Sequence, residues 1–186
     1  MNKFGKHNLT ATAVWEATST EYRNMNIGGN NLSTETVGWW NVNMVATKNL
    51  GNSYSKETLL SGVGRVIYNY NDRYTVTATI RADGSSKFSK NKWGYFPSIA
   101  AAWDISNESF MKDFKAMQDI KLRASYGIIG NQGIASYSTL GLLGQVYSNY
   151  GSQSNLYYGY WPTSLPTPDV TWEKTKQFDL GLEFAL

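Results

Sequence analysis

Cysteine is absent from the 186 residues, so disulfide frameworks and thiolate metal sites are excluded. Histidine occurs once, at His7. One imidazole does not supply a histidine-based triad or a zinc centre, and His7 reads as an exposed polar residue near a strand start. Charged residues make up 17% of the chain and the formal charge is +3, against roughly 25% charged residues in ordinary soluble domains. No basic run stands out, which leaves no footing for a nucleic-acid partner. No apolar run approaches the ~20 residues of a spanning helix. The opening Met1-Asn2-Lys3-Phe4-Gly5-Lys6-His7 lacks an apolar core, so no signal peptide is expected. The stretch DGSSKF at 83–88 offers one Asp without an acidic neighbour, which does not satisfy Ca²⁺, and it lacks the phosphate-loop pattern. No cofactor or metal is expected.

Aromatic residues are abundant instead, at 15% with 13 Tyr and 7 Trp. Membrane-interface belts and carbohydrate-binding surfaces both use such residues. The mean hydropathy of −0.41 is compatible with a membrane barrel, whose alternating strands average out.

Six segments alternate with the period of two expected for strands: about 8–18, 58–70, 74–83, 93–105, 120–128 and 174–185. In the third, Tyr74, Val76, Ala78, Ile80 and Ala82 share one face, and Thr75, Thr77, Thr79, Arg81 and Asp83 share the other. In the fifth, Leu122, Ala124, Tyr126 and Ile128 oppose Lys121, Arg123, Ser125 and Gly127. In the sixth, Phe178, Leu180, Leu182 and Phe184 oppose Gln177, Asp179, Gly181 and Glu183. Pro97 lacks an N–H, so a bulge or a strand start is expected beside it. The mid-strand charges Arg65, Arg81, Arg123, Asp179 and Glu183 would be costly in a dry sandwich core and cheap against water. Tyr68, Tyr70, Tyr74, Trp103 and Phe184 stand near strand ends on the apolar faces, as an interfacial girdle requires. A soluble antiparallel sheet with one buried face would give the same alternation, and pattern alone leaves both readings open.

The connections sort by length. Asn71-Asp72 makes a two-residue turn, and 106–119 suits a short helix near 107–117, capped by Ser106 or Asn107 and burying Phe110, Met111 and Phe114. Glu108, Asp113 and Asp119 are spaced as its solvated face. The connections 19–57, 84–92 and 129–173 are longer or polar, and in a meander they fall at the opposite end. Short turns at one end and long loops at the other are the outer-membrane arrangement.

The two longest loops are rich in Asn, Ser, Gly, Tyr and Trp. Trp39, Trp40, Tyr157, Tyr158, Tyr160 and Trp161 are the candidates for stacking on sugar rings or peptide side chains. Packing of the loops on one another, or a place at the headgroup level, would use them equally well. A hydrolase would need paired carboxylates in a cleft. Glu173 and Asp179 share a strand face but stand about 20 Å apart at the strand rise, so no enzyme activity and no catalytic residue is expected.

Specific strings add a resemblance. RVIYNYNDRYTVTATIRADGSSKFSKNKWGYFPSIAAAWDISNESFM (65–111), IKLRASYGIIGNQGI (120–134) and TWEKTKQFDLGLEFAL (171–186) resemble, in order, the C-terminal barrel of the SusC/RagA family of TonB-linked outer-membrane proteins. The resemblance implies an all-β fold: an antiparallel up-and-down meander, part of a large transmembrane β-barrel of the plugged type. It implies that residues 1–186 are an internal piece with about six strands, without plug domain or signal peptide. It implies an outer-membrane location, an apolar face toward lipid, and import of oligosaccharides or peptides. A SusD-type surface lipoprotein and the TonB complex are the implied partners. The reading from another class is a soluble glycan-binding or adhesin-like β module built on the same Trp and Tyr loops.

Overall fold

The computed structural model describes residues 2–111, 119–149 and 156–185. Among the described residues nine strands follow in chain order: β1 (Asn2–Phe4), β2 (His7–Leu32), β3 (Val45–Tyr70), β4 (Tyr74–Ser85), β5 (Trp93–Asp104), β6 (Asp119–Asn131), β7 (Leu143–Asn149), β8 (Leu156–Pro162) and β9 (Glu173–Ala185). Seven of them form one antiparallel sheet in the order β1-β2-β3-β4-β5-β6-β9. The remaining two, β7 and β8, form a separate hairpin. The chain is an all-β meander, as the alternation requires.

Register sorts the side chains across strands. One transverse row runs Ala11, Val66, Ala78, Ile99, Tyr126, Phe178 through six strands. The adjacent row runs Thr12, Arg65, Thr79, Ser98, Gly127, Gln177. Each strand's apolar set therefore falls in line with its neighbour's, because a slip by one residue would exchange the faces. The apolar face lies open: Ile99 is 54% exposed, Phe178 66% and Leu180 67%.

The buried apolar side chains form one small cluster, Phe88, Phe96 and Trp172, with Leu59, Ile128 and Ile134 packed against it. This cluster gathers residues that flank the loop end of the sheet. A Cβ at Gly94 or Gly130 would collide with the Phe96 ring, so both positions need glycine for close approach.

The connections sort as expected. The turns at 5–6 and 71–73 and the link after β5 lie at one end, while those after β2, β4 and β6 lie at the other. Asn71 and Asp72 both have positive φ, 54° and 53°, the backbone of a primed hairpin turn. Arg73 N–H closes it by donating to the Tyr70 carbonyl at 3.0 Å. Pro97 lies inside β5 and pairs with Ile80 of β4. On its other side the ladder to β6 stops at Ser98, so the missing N–H breaks nothing.

Five differences from the sequence reading stand out. The connection 19–57 is mostly strand: β2 and β3 each run 26 residues and pair up to Leu32 and Val45. The connection 129–173 holds the β7–β8 hairpin, and β1 precedes the first expected strand. Ile128, expected in the open apolar set with Tyr126, packs instead on the Phe96 cluster, just beyond the point where the β5–β6 ladder ends at Gly127. The link near 107–117 shows two 3₁₀ turns, Ile105–Asn107 and Ser109–Met111; residues 112–118, including Phe114 and Asp113, lie outside the described residues.

Candidate functional site

The face opposite the apolar one is polar and concave. Arg81 Nε donates to Asp83 Oδ2 at 2.7 Å and its Nη2 donates to Ser61 Oγ at 3.1 Å. Arg65 Nε donates to Thr79 Oγ1 at 3.3 Å, and Arg123 pairs with Glu183 across to β9. A groove of about 560 Å³ runs along this face, lined among others by Thr77, Thr79, Ser98, Ser125 and Asp179. Among the described residues no group of three metal-ligating side chains occurs. The arrangement offers a hydrated wall of hydroxyls and paired charges.

At the short-turn end, Glu108 is buried, contrary to the solvated face expected of it. Tyr74 Oη donates to its Oε1 at 2.6 Å, Trp103 Nε1 to the same oxygen at 3.2 Å, and Arg73 to Oε2 at 3.1 Å. The Tyr74 hydrogen bond, then the Trp103 bond and the Arg73 charge, hold the Glu108 carboxyl below the usual carboxylate range, and burial opposes them. Beside it runs an aromatic row across four strands. The His7 and Tyr70 rings stand 5.0 Å apart, Tyr70 and Tyr74 6.5 Å, and Tyr74 and Trp103 6.4 Å. Toward the loop end a second aromatic level holds Trp15, Tyr95 and Trp93, all exposed. Tyr74 and Ala82, the latter paired with Tyr95, are eight residues apart. That is roughly 27 Å along the strand at its antiparallel rise, or about 20 Å of height after the usual barrel tilt.

The loop end carries the candidate ligand-stacking residues on two separate elements. Trp40 lies at the tip of the β2–β3 hairpin, in the 3₁₀ segment Glu35–Trp40, and is 79% exposed. The Trp39 side chain lies outside the described residues. Tyr157, Tyr158, Tyr160 and Trp161 all lie on β8 and are all exposed. Alternation splits them: Tyr158 and Tyr160 share a face, and Tyr157 and Trp161 take the other. Cross-strand pairing adds Tyr147 and Gln145 of β7 to the first face, opposite Tyr158 and Tyr160. The sequence reading passed over both, since only the register of β7 on β8 reveals them.

The hairpin is tied down at its base. Leu142 N–H donates to Ser164 Oγ at 2.9 Å, Ser164 Oγ donates to the Leu140 carbonyl at 3.2 Å, and Thr163 N–H donates to the Leu142 carbonyl at 2.8 Å. The segment below is held in turn. Thr139 Oγ1 donates to the Lys87 carbonyl at 3.0 Å, and the Lys56 N–H donates to Tyr137 Oη at 3.0 Å. Trp172 Nε1 donates to the Lys92 carbonyl at 3.0 Å. The tyrosine ribbon thus rises from a pad packed on the Phe88–Phe96–Trp172 cluster.

Comparison with known proteins gives concordant findings. A family model described as TonB dependent receptor-like, beta-barrel matches residues 2–186. The chain is 39% identical over 185 residues to TonB-dependent receptor P3 of Formosa agariphila, covering 98% of this chain and 18% of that protein. It is 40% identical over 138 residues to TonB-dependent receptor SusC of Bacteroides thetaiotaomicron, covering 70% of this chain and 13% of that one. The RagAB peptide transporter superposes with a TM-score of 0.72 at 26% identity, over 95% of this chain and 19% of that one. The chain spans about a fifth or less of the length of the relatives it matches.

Proposed function

The chain belongs to the TonB-dependent receptor β-barrel family, and we propose that it forms part of the wall of an outer-membrane transporter that imports oligosaccharides or peptides. One observation carries the membrane part: a continuous apolar face, aligned by register over six strands and left open. A soluble protein seldom leaves so large a patch uncovered, and lipid is the solvent that suits it. The aromatic rows at its two margins suit the two interfaces. The polar groove then faces the lumen, the short turns face the periplasm, and the β2–β3 tip and the β7–β8 ribbon stand on the extracellular side.

The partners follow from the same reading. The similarity to SusC and to RagAB supports a SusD-type lipoprotein over the extracellular loops, and membership of the family supports energy supply by the TonB complex. The whole receptor carrying this chain, placed in a TonB-competent outer membrane and in a TonB-deleted one, tests the transport claim. Growth on an oligosaccharide or peptide nutrient is expected in the first strain alone. Equal uptake in both would reject it.

A further inference from the structure

We propose that the face of the β7–β8 ribbon bearing Tyr147, Tyr158 and Tyr160 is a binding platform for uncharged oligosaccharides, in preference to acidic glycans and to peptides. The inference rests on the transporter reading above and names the ligand class it takes at this surface.

Three observations carry it. The first is charge. From Ala124 to Pro168 the sequence holds no Asp, Glu, Lys, Arg or His. The ribbon itself therefore offers no counter-ion to a sulfate, a uronate or a peptide terminus, and the lysines beside its base, Lys56 and Lys87, are paired with Glu21 and Glu57. Recognition of those groups relies on charge-assisted hydrogen bonds, and burying them without a partner is costly. The second is ring placement. Tyr147 and Tyr158 stand 5.1 Å apart at 57°. Tyr160 follows Tyr158 on the same face at a spacing of about 7 Å, and its cross-strand neighbour is Gln145. Phenol rings offer apolar faces to the C–H side of a sugar, while the hydroxyls and the Gln145 amide supply neutral donors and acceptors. The third is support. The ribbon pairs with no strand of the main sheet among the described residues. A two-stranded hairpin alone is marginal in water, but the Leu142, Thr163 and Ser164 bonds close its base, and Tyr137 and Thr139 bond the segment below to Lys56 and Lys87. The platform is thus presented from an ordered root, with Tyr158 and Tyr160 67% and 73% exposed.

The test uses the purified whole receptor in detergent and three probes: uncharged gluco- and manno-hexaoses, a galacturonate hexamer, and a casein tryptic digest. Calorimetric titration is expected to show binding of an uncharged hexaose and weaker or no binding of the other two. Tyr158→Ala with Tyr160→Ala is expected to weaken that binding by about tenfold or more, whereas Tyr157→Ala on the opposite face changes it less than about twofold. Tyr158→Phe with Tyr160→Phe keeps the rings and most of the affinity, which separates loss of the platform from loss of the fold. Tighter binding of the galacturonate or the peptides would overturn the proposal, as would equal effects of substitutions on the two faces. A receptor whose uptake does not depend on TonB would instead reject the transporter reading, whatever the hexaose titration gives.

Discussion

Tyr74, the first residue of β4, donates a 2.6 Å hydrogen bond to Glu108, which lies beyond the end of β5. The same carboxylate accepts from Trp103 and pairs with Arg73. Asn107 Nδ2 adds a bond to the Asp72 carbonyl at 2.9 Å. One side chain therefore pins the β3–β4 turn to the link between β5 and β6.

This staple makes an acid-sensitive prediction. The bonds hold the folded pKa of Glu108 below its ordinary value. Its contribution is therefore fully present above the unfolded glutamate pKa and is lost as pH falls through the lower, folded one. Unfolding of the whole receptor in detergent should show extra destabilisation on that acid side. Glu108→Gln should be less stable than the parent at neutral pH, and the gap should shrink as the pH drops. A gap that stays constant with pH would show that ionisation of Glu108 contributes nothing.

The two faces should respond oppositely to charge. Ile99 lies on the apolar face, in the row with Ala78, between the aromatic levels, and Thr77 lies on the opposite, polar face. Ile99→Arg should cost roughly 2–4 kcal/mol in the lipid-embedded receptor, as for a charge at mid-membrane depth. Thr77→Arg should cost much less. A denaturant titration in vesicles that gave equal penalties would reverse the face assignment.

The rim cluster should be the most sensitive packing site. Trp172 is buried, its ring centroid lies 5.3 Å from both Phe88 and Phe96, and its indole N–H reaches the Lys92 carbonyl. Trp172→Ala should cost about 3–5 kcal/mol, the range for large aromatics in a core. It should also free the 86–92 and 132–142 segments to protease. Gly130→Ala should act in the same direction, because the added carbon meets Phe96. Unchanged proteolysis would place the cohesion of these loops elsewhere.

The strands between the two aromatic levels were legible because, on the proposed reading, lipid on one face and water on the other impose alternation on Tyr74 through Ala82 and on Phe178 through Phe184. Beyond Trp15 that signal fades. On β2, Thr20, Tyr22 and Asn24 on one face oppose Ser19, Glu21 and Arg23 on the other. With water on both sides nothing enforces a difference, so 26-residue strands read as loop. The burial of Glu108 was hidden for another reason. Two of its partners, Arg73 and Tyr74, are 35 and 34 residues away and are brought in only by the β4–β5 register. The grouping of the candidate stacking residues was half legible. Four of the six fall on β8 as a group, but their division into two faces and the addition of Tyr147 depend on pairing with β7.

The turn at Asn71-Asp72 gives the last prediction. Both residues sit at positive φ, where Asn and Asp are tolerated and β-branched residues are strained. Asn71 N–H donates to the Lys6 carbonyl at 2.7 Å, and Asp72 N–H donates to Asn69 Oδ1 at 3.0 Å, so the turn also joins the β1–β2 hairpin to β3–β4. Asn71→Gly keeps both the backbone and its N–H and should be nearly neutral or slightly stabilising. Asn71→Val should cost about 1–2 kcal/mol from the left-handed backbone alone. It should also slow refolding into detergent, because this short hairpin sets the register on which the rows Ala11–Phe178 and Thr12–Gln177 depend. Refolding yield and rate of the two variants, followed by the heat-modifiable gel shift of a folded barrel, would check it. Equal behaviour of Gly and Val at position 71 would mean that register is set by the wall and not by the turn.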